Sequence, residues 1–195
     1  MGKLIVTEFI TLDGVAQAPG GPDEDRDGSF AHGGWQMSRG DEAAGGIVFE
    51  QARIMDALLL GRKTYDIFAN YWPKASEEIP FTALLNDVPK YVVSDTLESP
   101  LEWQGSTLLT GDLAESIAAL KDRHDEVHVI GSLNLVQSLL RLGLVDRLNL
   151  WLYPLLLGSG KRLFAAGTMP TDLCLTESFT YPSGTLHLTY DTSAS

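Results

Sequence analysis

Three times along this chain an apolar run ends on glycine or serine, and helix-forming segments alternate with these runs. That alternation limits the possible folds more than any other feature. Ala57 to Leu60 runs into Gly61-Arg62-Lys63-Thr64 ahead of the helical stretch Tyr65 to Asn70. Lys90 to Val93 closes on Ser94-Asp95-Thr96, and a short strand at Ser106 to Leu109 precedes the helix Asp112 to Arg123, where Asp112 and Glu115 are spaced as a capping box. Val127 to Ile130 runs into Gly131-Ser132 and then a helix through Leu135, Leu139 and Leu140 that ends at Gly143. Short apolar runs alternating with helices predict parallel strands joined by crossover helices.

Before these units lies a strand from Lys3 to Phe9, stopped by Asp13-Gly14. A loop crowded with Gly, Pro and Asp follows from Gln17 to Arg39, long enough to be functional or mobile. Asp41 or Glu42 opens a helix reaching about Met55, weakened in its first turn by Gly45 and Gly46. After the third unit the alternation stops: Arg147 to Tyr153, Leu173 to Thr180 and Thr185 to Asp191 read as strands, the last two joined at Tyr181-Pro-Ser-Gly184. The expectation is a three-layer α/β fold with a mixed, mostly parallel sheet and a C-terminal antiparallel hairpin. With 195 residues, 44% of them hydrophobic, it is expected to form one domain over 1–195.

Charge and cysteine narrow the function classes. A net charge of −12 argues against affinity that rests on neutralising a nucleic-acid backbone, and leaves open a small anionic ligand met by a few local donors. The one cysteine, Cys174, permits neither an intramolecular disulfide nor a multi-cysteine metal site, which points to a reducing compartment with cytoplasm as the default. Glu8 interrupts the first apolar stretch before it reaches signal-peptide length, so no export signal is expected. The apolar stretches at Leu58 to Leu60 and Leu150 to Leu157 are far shorter than a membrane span and read as buried strands.

In open α/β sheets ligands sit at the C-terminal ends of the strands, so Gly61, Gly131 and the Ser94 loop share one rim. Backbone N–H groups at the helix starts there can bind phosphate oxygens, and Arg62, Lys63, Thr64 and Ser94 add side-chain donors. Each turn alone is equally an ordinary strand-to-helix connection with exposed basic residues. Three together favour nucleotide binding.

These residues resemble the dihydrofolate-reductase-like superfamily, in the branch related to the C-terminal reductase domain of the bifunctional riboflavin-biosynthesis deaminase-reductase. The marks are Thr11-Leu12-Asp13-Gly14, Leu60-Gly61-Arg62-Lys63-Thr64-Tyr65, Tyr91-Val-Val-Ser94, Ile130-Gly131-Ser132, Gly143-Leu144-Val145-Asp146, and Pro154 through Leu157-Gly158-Ser159-Gly160-Lys161-Arg162-Leu163-Phe164. The resemblance covers nearly the whole chain. It implies a dihydrofolate-reductase-like fold and an NADPH-dependent reductase of a small heterocyclic or carbonyl-type substrate. By the same resemblance Gly61, Arg62, Lys63 and Thr64 hold the pyrophosphate and 2′-phosphate, and Ser94 assists on the adenosine side. Gly131, Ser132, Leu133, Asn134 and Leu135 meet the pyrophosphate through a helix N-terminus, although the family often has a second glycine where Ser132 stands. Two further readings stay open: a non-catalytic NADPH- or nucleotide-binding protein, and a stand-alone ribosylaminopyrimidine reductase. A homodimer is expected from the family and from the apolar strand Leu148 to Leu157.

Asp13 either orients substrate or holds a proton beside the nicotinamide, or is a turn residue before glycine. Dihydrofolate reductases proper carry a carboxylate on the first long helix; here only Asp41, Glu42 and Glu50 lie near that place, which argues against dihydrofolate as substrate. Asp23, Asp25 and Asp27 match half of a calcium loop whose twelfth position is Gly34, so a solvated acidic loop is expected there and no metal site. Gly160-Lys161 reads as a turn. Of the histidines, His32, in one loop with Trp35, is the candidate for a lid over substrate, whereas His124, His128 and His187 read as structural or exposed. Tyr71 and Trp72 border the same cleft or belong to the core.

Overall fold

A computed structural model describes residues 1–40 and 42–192, with the side chain of Glu42 also outside the description. The chain runs β1 (Lys3–Thr11), α1 (Glu42–Ala52), β2 (Ala57–Gly61), α2 (Arg62–Tyr71), α3 (Pro80–Asp87), β3 (Lys90–Val93), β4 (Ser106–Leu109), α4 (Leu113–Arg123), β5 (Glu126–Ile130), α5 (Leu133–Arg141), β6 (Arg147–Tyr153), β7 (Leu173–Thr180) and β8 (Leu186–Thr192). The strands form one eight-stranded sheet in the order β4-β3-β2-β5-β1-β6-β8-β7. All neighbouring pairs from β4 to β6 are parallel, and β8 pairs antiparallel with both β6 and β7. The expected α/β class and mixed sheet are therefore present.

Strand alternation sorts the side chains into two layers. Leu59, Val129, Val6 and Leu148 lie on one rung across β2, β5, β1 and β6, and all are buried. With Leu4 and Val127 they meet Ile117 and Leu120 of α4 and Leu135, Val136 and Leu139 of α5. The opposite parity, Leu58, Leu60 and Val92, packs against Ala52 of α1, Tyr65 of α2 and Leu85 of α3. Truncating a side chain as enclosed as Leu59 to alanine costs about 2–5 kcal/mol, because neighbours relax only partly into the void.

Several elements differ from the sequence reading. α3 was not anticipated, although Pro80 at its first turn is a start signal. Its C-terminal carbonyls are closed by Lys90, whose buried ammonium donates to Leu85 O at 3.0 Å and Asn86 O at 2.7 Å and lies 4.5 Å from the Trp103 ring centroid. Asp112 caps α4 as expected, accepting the Glu115 N–H at 2.9 Å. α2 begins three residues earlier than the helical stretch read from Tyr65 onward, so Arg62, Lys63 and Thr64 form its first turn. The strand offered as a dimer surface is internal: β6 lies between β1 and β8, and Leu148, Leu150, Trp151 and Tyr153 are buried within the chain. The edge strand β7, by contrast, does carry exposed apolar side chains, at Leu173, Leu175 and Phe179.

Candidate functional site

β1 outruns β5. Their register ends at Thr7 opposite Ile130, whereas β1 continues beside β6 as far as Thr11. Glu8 to Thr11 thus have a strand on one side only, and Glu8 and Phe9 face the same cavity as the turn Gly131-Ser132. A cleft of about 510 Å³ opens at this notch, over the C-terminal ends of β1, β2 and β5. Gly61, Arg62, Lys63 and Thr64 line one wall, Gly131, Ser132, Leu133, Asn134 and Leu135 a second, and the segment Ala16 to Gly20 with Lys161 a third. The two turns expected from sequence to share a ligand do face one cavity.

Their backbone geometry divides the labour. Gly131 (φ 69°) and Ser132 (φ 67°) both adopt the left-handed region, which turns the Ser132 hydroxyl back to accept the Gly61 N–H at 2.9 Å. A Cβ on Gly61 would stand 3.3 Å from Ser132 Cβ. Gly61 therefore supplies close packing between the turns, and its own N–H is not a free phosphate donor. The first-turn amides of α2 and α5 have no side-chain cap, so both helices present unsatisfied N–H groups at their N-termini.

Charged groups are arranged around those amides. Lys63 pairs with Asp27 and lies 3.8 Å from Asp25; Lys161 reaches Asp25 at 2.5 Å and Asp27 at 2.8 Å. Arg62 pairs with Asp66 at 2.9 Å one turn along α2. The acidic loop read as simply solvated is in fact tied down, with Asp25 and Asp27 taking lysines as partners, because the buried Gln17 holds it in place. Gln17 Nε2 donates to the Asp25 and Asp27 carbonyls, both at 3.1 Å, and its Oε1 accepts the Lys161 N–H at 2.9 Å. Hydrogen bonds from Lys161 and then Lys63 pull the Asp27 carboxyl down to about 2. Among the described residues no three His, Cys, Asp or Glu side chains are grouped to hold a metal ion.

The sequence reading missed the carboxyl that matters most here. Glu8 lies on the cleft wall, is 2% exposed, and its Oε1 has no hydrogen-bond partner among the described residues. Burial, with the charge of Glu24 adding to it, pushes its pKa up to about 8. At neutral pH it is a carboxylic acid, able both to donate and to accept a hydrogen bond inside the cleft. The signal was a glutamate in a strand otherwise rich in Leu, Ile, Val and Phe. Glu24, also on the wall, accepts the Gly20 and Gly21 N–H groups at 2.7 and 2.9 Å, and burial raises its carboxyl too.

Two expected site residues are placed elsewhere. Asp13 lines no cavity described here: it accepts the Thr11 hydroxyl at 2.5 Å and the Gly158 N–H at 2.8 Å, pinning the turn after β1 to the segment after β6. Ser94 is buried and closes its own turn by accepting the Thr96 and Leu97 N–H groups, both at 3.1 Å, while Val93 before it reaches the cleft. Trp35 is an anchor, in contrast to the lid read from its loop. It is buried, donates from Nε1 to Gln17 O at 2.9 Å and packs edge-on against Tyr153, while His32 stays exposed beside Phe30.

Beside the cleft lies a second cavity of about 290 Å³, and both are bordered by Phe9, Gln36, Phe68 and Ile130. Trp72 lines it, and Tyr71 stacks edge-on behind Trp72. His128, expected to be structural or exposed, is buried on its wall, with Nε2 3.2 Å from Glu126 Oε2; burial lowers its pKa and favours the neutral ring.

Comparison with known proteins agrees with this architecture. The crystal structure of a putative riboflavin biosynthesis protein from Shewanella sp. PV-4 superposes with a TM-score of 0.74 at 22% identity, covering 98% of this chain and 99% of that one. Dihydrofolate reductase from Enterococcus faecalis, complexed with NADP(H) and RAB-propyl, superposes with a TM-score of 0.62 at 14% identity, over 99% of this chain and 98% of that one. In sequence the chain is 29% identical over 139 residues to the uncharacterized protein YyaP of Bacillus subtilis (strain 168), covering 70% of this chain and 73% of YyaP. The model of the RibD C-terminal domain matches residues 2–187, and the chain belongs to that family.

Proposed function

We propose that the protein is an NADPH-dependent reductase that delivers a hydride to a small heterocyclic or carbonyl-type substrate. One observation carries the reading: two uncapped helix N-termini, those of α2 and α5, open on one cleft beside Arg62, Lys63 and Lys161. Convergent amides and cations suit a diphosphate and one extra phosphate, and the family's fold is supporting context. The residues of the cleft thus fit an NADP-type dinucleotide. Bound there, a dihydronicotinamide supplies the hydride, as cofactors generally carry the hard chemistry.

The chain's own part is to hold and orient. The α5 N-terminus and the first-turn amides of α2 take the diphosphate, and Arg62 and Lys63 take the 2′-phosphate. Glu8, neutral in the buried end of the cleft, offers an O–H and a carbonyl to an uncharged polar group there. The aromatic cavity beside it receives the substrate. As further parts of the reading, the protein folds as one domain, works in the cytoplasm, where the exposed Cys174 stays reduced, and pairs through β7 as a homodimer that sedimentation velocity would detect.

The test is a calorimetric titration of purified protein with NADPH and with NADH. Micromolar NADPH binding that weakens in Arg62→Ala/Lys63→Ala more than NADH binding does is the expected result. No binding of either nucleotide overturns the reading.

A further inference from the structure

The chemistry of the aromatic cavity says more about its ligand than the family does. Its walls come from five elements: Phe9 on β1, Gly45 and Val48 on α1, Phe68 on α2, Phe81 on α3 and His128 on β5, with Trp72 after α2. Among the described residues, no Asp, Glu, Lys or Arg lines it. The neighbouring cleft holds Arg62, Lys63, Lys161, Glu8 and Glu24, so charge is segregated across the shared border of Phe9, Gln36, Phe68 and Ile130. An ionised group in the cavity would lose hydration with no counter-charge on the lining itself. The polar groups on the lining side chains are those of Thr7, Gln36, the neutral His128 and the Trp72 indole N–H, enough for a few hydrogen bonds to uncharged groups. The aromatic wall is braced from behind: Phe68 and Phe81 both pack on Trp72, at centroid distances of 6.1 and 6.3 Å, and Phe49 stands edge-on to Phe81 at 5.2 Å. Flat faces held in this way favour a flat partner.

We infer that this cavity binds an uncharged, planar cyclic carbonyl compound of about two fused rings and excludes compounds bearing a phosphate or carboxylate. As the substrate end of the reductase it rests on the reading above, and it narrows that reading away from a phosphoribosyl substrate. Gly45 is the residue that keeps the space. It is an exposed residue on the cavity's rim, and a Cβ built on it meets no heavy atom within 4 Å, so a leucine there adds bulk at the rim without colliding with a neighbour. Replacing glycine inside a helix also favours the helix.

The experiment uses coumarin and coumarin-3-carboxylate, a bicyclic lactone and its anion, titrated against the whole protein by calorimetry, with NADPH titrated separately. Coumarin is expected to bind in the micromolar range and the carboxylate at least tenfold more weakly. Gly45→Leu is expected to keep or raise the melting temperature, weaken coumarin at least tenfold and leave the NADPH dissociation constant within about twofold. Equal binding of coumarin and its carboxylate, unchanged coumarin binding in Gly45→Leu, or no coumarin binding at all each overturns the inference. If coumarin binds as expected and NADPH does not bind, the reductase reading falls and the cavity's ligand class stands. If NADPH binds and coumarin does not, the reverse holds. Should Gly45→Leu fail to fold, Val48→Phe, from the next turn of α1, carries the same expectation.

Discussion

The Asp13 carboxylate accepts the Gly158 N–H at 2.8 Å across 145 positions of sequence, and the Leu157 N–H at 3.3 Å beside it. The turn that ends β1 is thereby fastened to the segment that follows β6. The Thr11 hydroxyl and these two amides hold the carboxyl below the usual carboxylate range. A folded-state pKa that is depressed contributes stability above the unfolded pKa and loses it as pH falls through the folded value.

Asp13→Asn keeps the size and removes the charge. The expected outcome is a loss of about 1 kcal/mol in denaturant unfolding at neutral pH, shrinking below the carboxylate range, with NADPH affinity unchanged. Unchanged stability together with a large fall in turnover would move Asp13 from fastening the loop to the chemistry.

How far the site was legible can be followed through three residues. Lys63 was found because basic residues after a strand-ending glycine are a local pattern, complete within a few positions. Its partner Asp27 was not, since the pairing spans 36 positions and depends on Gln17 holding the acidic loop. Glu8 was read only as a break in the first apolar stretch, and its place in the site was missed. Only the unequal lengths of β1 and β5 reveal that its row of β1 runs out into a cleft. The alternating strands and helices and the parallel character of the core were readable because they follow from short-range periodicity, whereas the order of the strands in the sheet was not. The cavity was not, because five separate elements build it.

Asp25 and Asp27 occupy two of the cations that a bound phosphate would use. Neutralising one carboxylate should release Lys63 and Lys161 toward the cleft. Asp27→Asn is expected to tighten NADPH by roughly twofold to fivefold at low ionic strength, and less at high salt, because exposed pairs are weak and screened. Weaker binding in this variant would mean that the loop's position matters more than the freed charge.

Glu8 gives the chain a pH dependence that can be read by unfolding. Its carboxyl titrates near 4.5 when unfolded and at about 8 when folded. A raised folded pKa contributes stability that is full below the unfolded value and declines as pH rises through the folded one. Relative to wild type, Glu8→Gln should therefore gain stability progressively from about pH 5 to pH 9. A difference between the two proteins that stays constant over that range would show that Glu8 is ionised in the fold.

Gly160 joins the loop that carries Lys161 to the core, and its backbone sits at φ 119°, where side chains are rarely tolerated. A Cβ there would stand 2.7 Å from both Val15 Cγ1 and Phe30 Cε2, and both of those side chains are buried. Neither can swing aside into solvent, so the collision must be relieved by moving the 158–161 backbone. That backbone positions the Lys161 N–H on Gln17 and the Lys161 ammonium on Asp25 and Asp27. Gly160→Ala should thus lower stability by about 1–3 kcal/mol, a fall of several degrees in melting temperature for a chain of this size. It should also weaken NADPH, whereas Asp13→Asn, acting on the neighbouring turn, should not. Calorimetry on the two variants side by side separates them: equal NADPH affinity in both would show that Lys161 is held in place without Gly160.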